Sequence, residues 1–235
     1  QKGCPAYNSG APLSPSIVIR DLKRHALEKK SWFRSKSRDF DPSIIDKVIA
    51  KETLWACTTC GLCEDKCPVN IEHIKRIVDM RRGISTENEG YPPEVQKVFK
   101  NISAVGNPWG LSPDHKYYLE NDSQVPLLKE NMPTDILYWV GCHGSYEPRN
   151  IQVSEVMFKL LEQAGVNYAI LGREEKCCGD SVRRLGNEKL FQELALENIK
   201  TLNQYHFKTI VTTCPHCYNT LKNDYPQFGG HYRVM

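Results

Sequence analysis

The sequence predicts an α+β chain in two parts: a helical part carrying a tight group of cysteines, then an α/β part built on a parallel sheet. Three observations predict it. Up to about residue 83 the apolar residues recur at helix period on either side of the run Cys57 to Cys67. From Thr134 onward short apolar runs without helix period alternate with amphipathic stretches, the rhythm of strand–helix–strand units. Between them, residues 83 to 133 hold ten glycines and prolines, among them Gly83, Gly90, Pro92, Pro93 and Gly106, which marks a linker and a domain boundary. The expected division is residues 1–130 and 131–235.

Taken in order, residues 1 to about 15 read as loop, broken by Pro5, Gly10, Pro12 and Pro15. Ser16 to about Lys30 reads as a helix that Ser14 or Ser16 can cap. Ile44 to Trp55 is a second periodic helix leading into the cysteines, and Ile71 to Arg82 a third leaving them. A short helical pattern surrounds Glu94 to Asn101. In the second part, 135–140, 166–171 and 209–213 read as strands, and 154–164 and 187–205 as helices. Each strand runs toward cysteine: Val140 to Cys142, Leu171 to Cys177 and Cys178, Thr213 to Cys214. Ligands of open α/β sheets collect at the carboxyl ends of strands, so these three places are expected to meet.

Composition narrows the function classes. Of 235 residues 40% are apolar and 25% charged, an ordinary globular mixture. A net charge of +3, dispersed along the chain, gives no nucleic-acid footprint. Apolar runs such as Ile136–Val140 fall far below the ~18 residues a spanning helix needs. No secretory signal opens the chain. Ten cysteines remain to be explained.

Cys57, Cys60, Cys63 and Cys67 stand in CTTCGLCEDKCP, too close together for a disulfide framework and well placed to converge on metal. C-x2-C-x2-C-x3-C-P is the bacterial ferredoxin spacing, in which three thiolates hold one [4Fe–4S] cube and the fourth serves the other cube of a pair. The alternative is structural zinc, whose ribbons pair two separated C-x2-C knuckles. Gly61 fits a chain wrapping closely around a cluster. Cys4-Pro5 reads as the end of a partner motif whose x3 is Gln1-Lys2-Gly3. By the cross-ligation rule Cys4, Cys57, Cys60 and Cys63 hold one complete cube and Cys67 belongs to a second, so the chain is expected to be a fragment of a longer protein. The bland alternative for Cys4 is a free thiol at a frayed terminus.

Downstream, Cys142 is followed after 34 residues by Cys177-Cys178-Gly179, and 35 residues separate Cys178 from Cys214 in Cys214-Pro215-His216-Cys217. Adjacent cysteines do not easily bond each other, yet both can serve one multinuclear site when a glycine follows. Five thiolates exceed the four of zinc or of an ordinary cube, which points to an unusual cluster.

This array resembles the CCG (cysteine-rich) domain of the heterodisulfide reductase family, and a ferredoxin-like pair ahead of it resembles that family's D-type subunit. The segments CPAYNSGAPLSPSIVIRDLK at 4–23 and CPVNIEHIKRIVDMRRG at 67–83 look most like the quinone oxidoreductases that accept electrons from electron-transfer flavoprotein; glycolate oxidase iron–sulfur subunits are further relatives. The resemblance implies a helical ferredoxin-like domain followed by an α/β CCG domain. It implies a non-cubane [4Fe–4S] cluster on Cys142, Cys177, Cys178, Cys214 and Cys217, which would be the catalytic site. It also implies electron flow from electron-transfer flavoprotein or another flavoprotein donor to a quinone or disulfide acceptor. Relatives carry a second CCG motif or membrane helices that this sequence lacks, so the membrane is expected to be met only through segments outside it, at the cytoplasmic, inner face of the cell membrane; the alternative within the family is a genuinely shorter soluble subunit, of the heterodisulfide reductase or glycolate oxidase iron–sulfur type. The rival reading is a non-catalytic, zinc-stapled interaction protein. No dinucleotide fingerprint, P-loop or hydrolase triad accompanies the cysteines.

Other residues have ordinary readings. His143 and His216 read as solvated loop histidines that could also tune a neighbouring thiolate. Trp55 and Trp139 are expected to wall off solvent. Arg81-Arg82 and Arg183-Arg184 read as solvated faces, with docking of an acidic flavoprotein patch as the functional alternative.

Overall fold

The computed structural model describes residues 3–30, 43–86, 91–120, 125–129 and 133–235. Gln1, Lys2 and Gly90, named in the readings above, lie outside them. The chain forms two compact units. One comprises Gln1–Tyr91 with Arg184–Gly186, the other Pro92–Arg183 with Asn187–Met235.

The first unit is helical: α1 Pro5–Asn8, α2 Pro15–Glu28, α3 Lys51–Trp55, α4 Leu62–Asp65 and α5 His73–Thr86. Pro5 and Pro15 stand in the first turns of α1 and α2, where a missing N–H costs nothing. Pro5 therefore starts a turn of helix in a stretch the prolines predict as loop. Ser14 occupies the N-cap of α2 without making a side-chain cap bond. The helix expected over Ile44–Trp55 is only its last five residues. Ahead of it the chain closes a turn, with Ile49 N–H bonded to Ile44 O at 3.1 Å and Asp46 left-handed at φ 64°. Asp46 accepts from Lys51 N–H at 3.1 Å and pairs with Lys51 Nζ at 3.1 Å, a local bond that competes with helix. Leu13, Val18, Ile49, Leu54, Ile77 and Ile84 form the core of this unit together with Cys4.

The second unit opens with α6 Pro93–Val105, a 3-10 turn Pro113–His115 and α7 Tyr117–Glu120. Its sheet holds β1 Thr134–Tyr138, β2 Tyr168–Ala169 and β3 Phe207–Val211. The order is β2-β1-β3, all parallel, with Leu137 opposite Ala169 on one side and Ile210 on the other. The expected common parallel sheet is present, with β1 and β2 shorter than expected and β3 starting two residues earlier. Helices α8 Gly141–Tyr146, α9 Pro148–Gln163, α10 Asp180–Arg184, α11 Glu188–Leu202 and α12 Pro215–Asn219 connect and follow the strands. Tyr138, Phe158, Leu161, Tyr168 and Ile170 are buried in a core cluster, where the rings of Tyr138 and Phe158 meet edge to face at 5.5 Å. Asn187 caps α11 by accepting from Leu190 N–H at 3.1 Å. Residues 92–120, expected as linker within 1–130, pack instead with the second unit, because α6 is a full amphipathic helix with buried Phe99 and Ile102. No helix of the described residues is long and apolar enough to cross a membrane.

Candidate functional site

In the first unit, Cys57 and Cys60 lie in the loop from α3 to α4, Cys63 in α4, and Cys4 just ahead of α1. These four line one cavity, whose apolar walls include Leu13, Val18, Ile74 and Ile77. Cys67 is not among the lining residues. Its sulfur accepts Ile71 N–H at 3.3 Å, and backbone donors from Ile71 and Val69 hold its thiol below the usual range. The loop is shaped by left-handed residues: Gly61, the N-cap of α4, at φ 80° and Thr59 at φ 54°. A Cβ on Gly61 would meet only Ile74 Cδ1, at an ordinary 3.8 Å, so backbone conformation rather than crowding calls for glycine there. Thr59 turned this way aims its N–H at Cys57 Sγ, 3.4 Å away. Burial pushes the Cys57 and Cys63 thiols up.

This donor set fits a cube: four sulfurs about an apolar cavity, one already receiving a backbone N–H. Among the described residues no three His, Cys, Asp or Glu side chains close around a point as one small ion requires. A cube, with iron at separate corners, asks for more widely spaced sulfurs.

In the second unit the strands deliver cysteines as the topology requires. Val140 is the N-cap of α8 and Cys142 lies in its first turn; Cys177-Cys178 follow the 3-10 turn Gly172–Glu174 after β2; Cys214 is the N-cap of α12, which carries Cys217. Cys142 Sγ donates to Cys177 Sγ at 3.9 Å. Side-chain hydrogen bonds link the Cys178 thiol to Cys177 and to Cys217, and the Cys217 thiol to Cys214. The five sulfurs thus form one continuous chain. Charge within it is divided: bonds from Cys142 and Cys178 push Cys177 well down, while the Cys217 bond brings Cys214 down to about 6. Gly179 has φ 87°, and a Cβ on it would stand 2.8 Å from Phe191, so glycine is required after the cysteine pair for conformation and for space.

Four polar ties hold these segments together, and most of them leave no signal in the sequence. Glu175, fully buried, accepts from Val140 N–H at 3.1 Å and Gly141 N–H at 2.6 Å, binding the approach to Cys177 to the start of the Cys142 helix. Burial pushes its carboxyl up to about 7 against the opposing pull of Lys116. Lys116, itself buried, donates to Gly172 O at 2.6 Å and Glu175 O at 2.7 Å. Asn198 donates to Cys177 O at 3.0 Å and Tyr225 OH at 2.9 Å, and Tyr225 OH donates to Cys178 O at 3.1 Å. Asp180, next after Gly179, lies 2.8 Å from His216 Nδ1 and accepts from Thr220 at 3.3 Å.

Comparison with known proteins names this arrangement. Residues 1–71 match the 4Fe-4S dicluster domain and residues 136–222 match the Cysteine-rich domain, CCG. The chain thus resembles the CCG-domain iron–sulfur proteins, with one match in each of its two parts. It is 37% identical over 260 residues to "EtfAB:quinone oxidoreductase" of Syntrophomonas wolfei, covering 100% of this chain and 36% of that protein. It is 38% identical over 264 residues to "Probable iron-sulfur-binding oxidoreductase FadF" of Bacillus subtilis, 96% of this chain and 37% of the other. With the D-type subunit of the "Dihydromethanophenazine:CoB--CoM heterodisulfide reductase" of Methanosarcina barkeri the identity is 27%, over 97% of this chain and 56% of that one. The chain therefore spans about a third to a little over half of the length of these relatives. No solved structure matches significantly.

Several ordinary readings of other residues change. Arg81 is only 3% exposed and donates to Leu54 O and Cys57 O, both at 2.6 Å. Arg183 pairs with Asp224 at 2.7 Å and lies over the Phe191 ring at 4.7 Å. Neither is a solvated face: each finds more bonds inside than a surface offers. His216 is exposed but tied to Asp180, and His143 meets the Trp109 ring edge-on at 4.9 Å. Trp139 is fully buried, and Trp55 is half-buried beneath Arg81.

Proposed function

We propose that the chain is the iron–sulfur portion of an oxidoreductase, carrying electrons from a flavoprotein donor toward a quinone or a disulfide. The observation that carries this reading is the continuous run of five sulfurs, Cys142–Cys177–Cys178–Cys217–Cys214, in the same chain as a cavity lined by four more. Cys4, Cys57, Cys60 and Cys63 are the ligands of one [4Fe–4S] cube, and Cys67 is left to a different centre. The five downstream cysteines hold a non-cubane [4Fe–4S] cluster, from which the acceptor is reduced. Clusters of this kind supply one-electron transfer at potentials set by charge, hydrogen bonds and exposure.

The protein residues supply the rest. Leu13, Val18, Ile74 and Ile77 keep water from the cube site, and Thr59 N–H bonds a ligand sulfur. Glu175, Lys116, Asn198 and Tyr225 fix the backbone on which Cys142, Cys177 and Cys178 are mounted. Cys142 and Cys214 are the partly exposed members of the five and face the approach of an acceptor. The relatives named as quinone oxidoreductase and heterodisulfide reductase support the two acceptor classes, and the first supports a flavoprotein donor. The name "Probable membrane-anchored ferredoxin" of the relative from Chromohalobacter salexigens supports work beside a membrane, and its inner face is part of the same proposal.

The test is anaerobic mixing of the iron-loaded protein with a reduced electron-transfer flavoprotein, then with a quinone or a disulfide. Visible absorption should bleach and recover. Cys177→Ser should bleach yet fail to recover. Full recovery in that variant would remove the five-cysteine site from the terminal step.

A further inference from the structure

Arg81 is a buried cation with no carboxylate partner among the described residues. Its guanidinium lies within the first unit, donating to the carbonyls of Leu54 and Cys57 at 2.6 Å and of Arg184 at 2.9 Å, beneath the Trp55 ring at 5.1 Å. Nε has no hydrogen-bond partner, and no carboxylate pairs with the group among the described residues. Among the described residues, the charge-bearing group that acts on it is the Cys57 thiol. An arginine taken out of water costs several kcal/mol unless a counter-charge accompanies it, and three carbonyl bonds satisfy donors without cancelling charge.

A cube on Cys4, Cys57, Cys60 and Cys63 is that counter-charge. Four thiolates outweigh the charge of the iron–sulfide core, so the assembly is net negative when oxidised and one unit more negative when reduced. A cation fixed against the backbone of a ligand therefore stabilises both states, and the reduced state more. We propose that Arg81 is the electrostatic partner of the cube, raising its reduction potential while its bonds to Leu54 O and Cys57 O fix the ligand loop. This rests on the cube assignment made above. Arg81 touches neither substrate nor iron; it is a positioning residue that also sets a potential.

The experiment is a redox titration of the iron-loaded protein followed by electron paramagnetic resonance, with Arg81→Gln and Arg81→Lys beside the parent. The neutral variant should make reduction of the cube at least tenfold less favourable, a potential 59 mV lower for one electron. The lysine variant, which keeps the charge, should stay near the parent. The signal of the five-cysteine site should not move in either. If Arg81→Gln loses the cube altogether while Arg81→Lys keeps it, charge is again the requirement. The inference is overturned if both variants keep the cube at the parent potential, if both lose it, or if only the glutamine variant retains it. Absence of any cube signal from the loaded parent would instead overturn the function proposed above.

Discussion

Replacing Glu175 by glutamine probes the electrostatics of the five-cysteine site through one buried carboxyl group. The carboxylate accepts two N–H bonds and is fully buried, and its burial raises the carboxyl from 4.5 to about 7. Because the folded value lies above the unfolded one, the contribution of Glu175 to stability is complete below pH 4.5 and is lost as pH rises through about 7. Between pH 5 and pH 8 this linkage amounts to roughly 2–3 kcal/mol. Glutamine does not titrate, but its amide group faces an N–H it cannot accept from, at a pH-independent cost of about 1–3 kcal/mol. The parent should therefore be the more stable protein at pH 5, and its margin should close or reverse by pH 8. Urea unfolding of the metal-free protein at both pH values, followed by tryptophan fluorescence, measures this directly. A margin that stays constant, or grows toward pH 8, would mean that burial does not hold the Glu175 proton in the folded state.

Two further outcomes are expected. Asn198→Ala removes the donor from Cys177 O and Tyr225 OH inside the core, and should destabilise the protein by about 2–4 kcal/mol in the same assay and lower the iron retained by the CCG cysteines; unchanged iron content and stability would count against the clamp. In the metal-free protein Cys214, brought down to about 6 by its Cys217 bond and partly exposed, should be alkylated by iodoacetamide with half-maximal rate near pH 6. Peptide mass mapping that finds its labelling rising only above pH 8 would contradict the bonding described for the cysteine chain.

Much of this is legible in the sequence because cysteine spacing and strand order are local or topological properties. The C-x2-C-x2-C-x3-C-P run places three cysteines by loop geometry alone, and Cys4 lines the same cavity while Cys67 is not among its lining residues. The strands that lead toward Cys142, Cys177 and Cys214 share one sheet edge because parallel strands present all their carboxyl ends together. The supporting residues are not legible. Nothing in Arg173-Glu174-Glu175 distinguishes the buried glutamate from its exposed neighbour, and Arg81 looks identical to the adjacent Arg82 until the Leu54 and Cys57 carbonyls are brought against it. Helix α6 is legible as the short pattern over Glu94 to Asn101, but its place in the second unit is not, where Gly106, which ends it, presents its carbonyl to Cys177 N–H at 2.8 Å. Such roles arise from tertiary partners far away in sequence, and no periodicity encodes them.

Two separate groups of cysteines holding two different iron–sulfur clusters should be resolved by Mössbauer spectroscopy of the protein loaded with iron-57, with Cys57→Ser and Cys178→Ser beside the parent. The parent should show two distinguishable iron populations, Cys57→Ser should lose one, and Cys178→Ser should lose the other. A single population diminished by both substitutions, or a protein that takes up zinc and no iron, would contradict the two-cluster assignment.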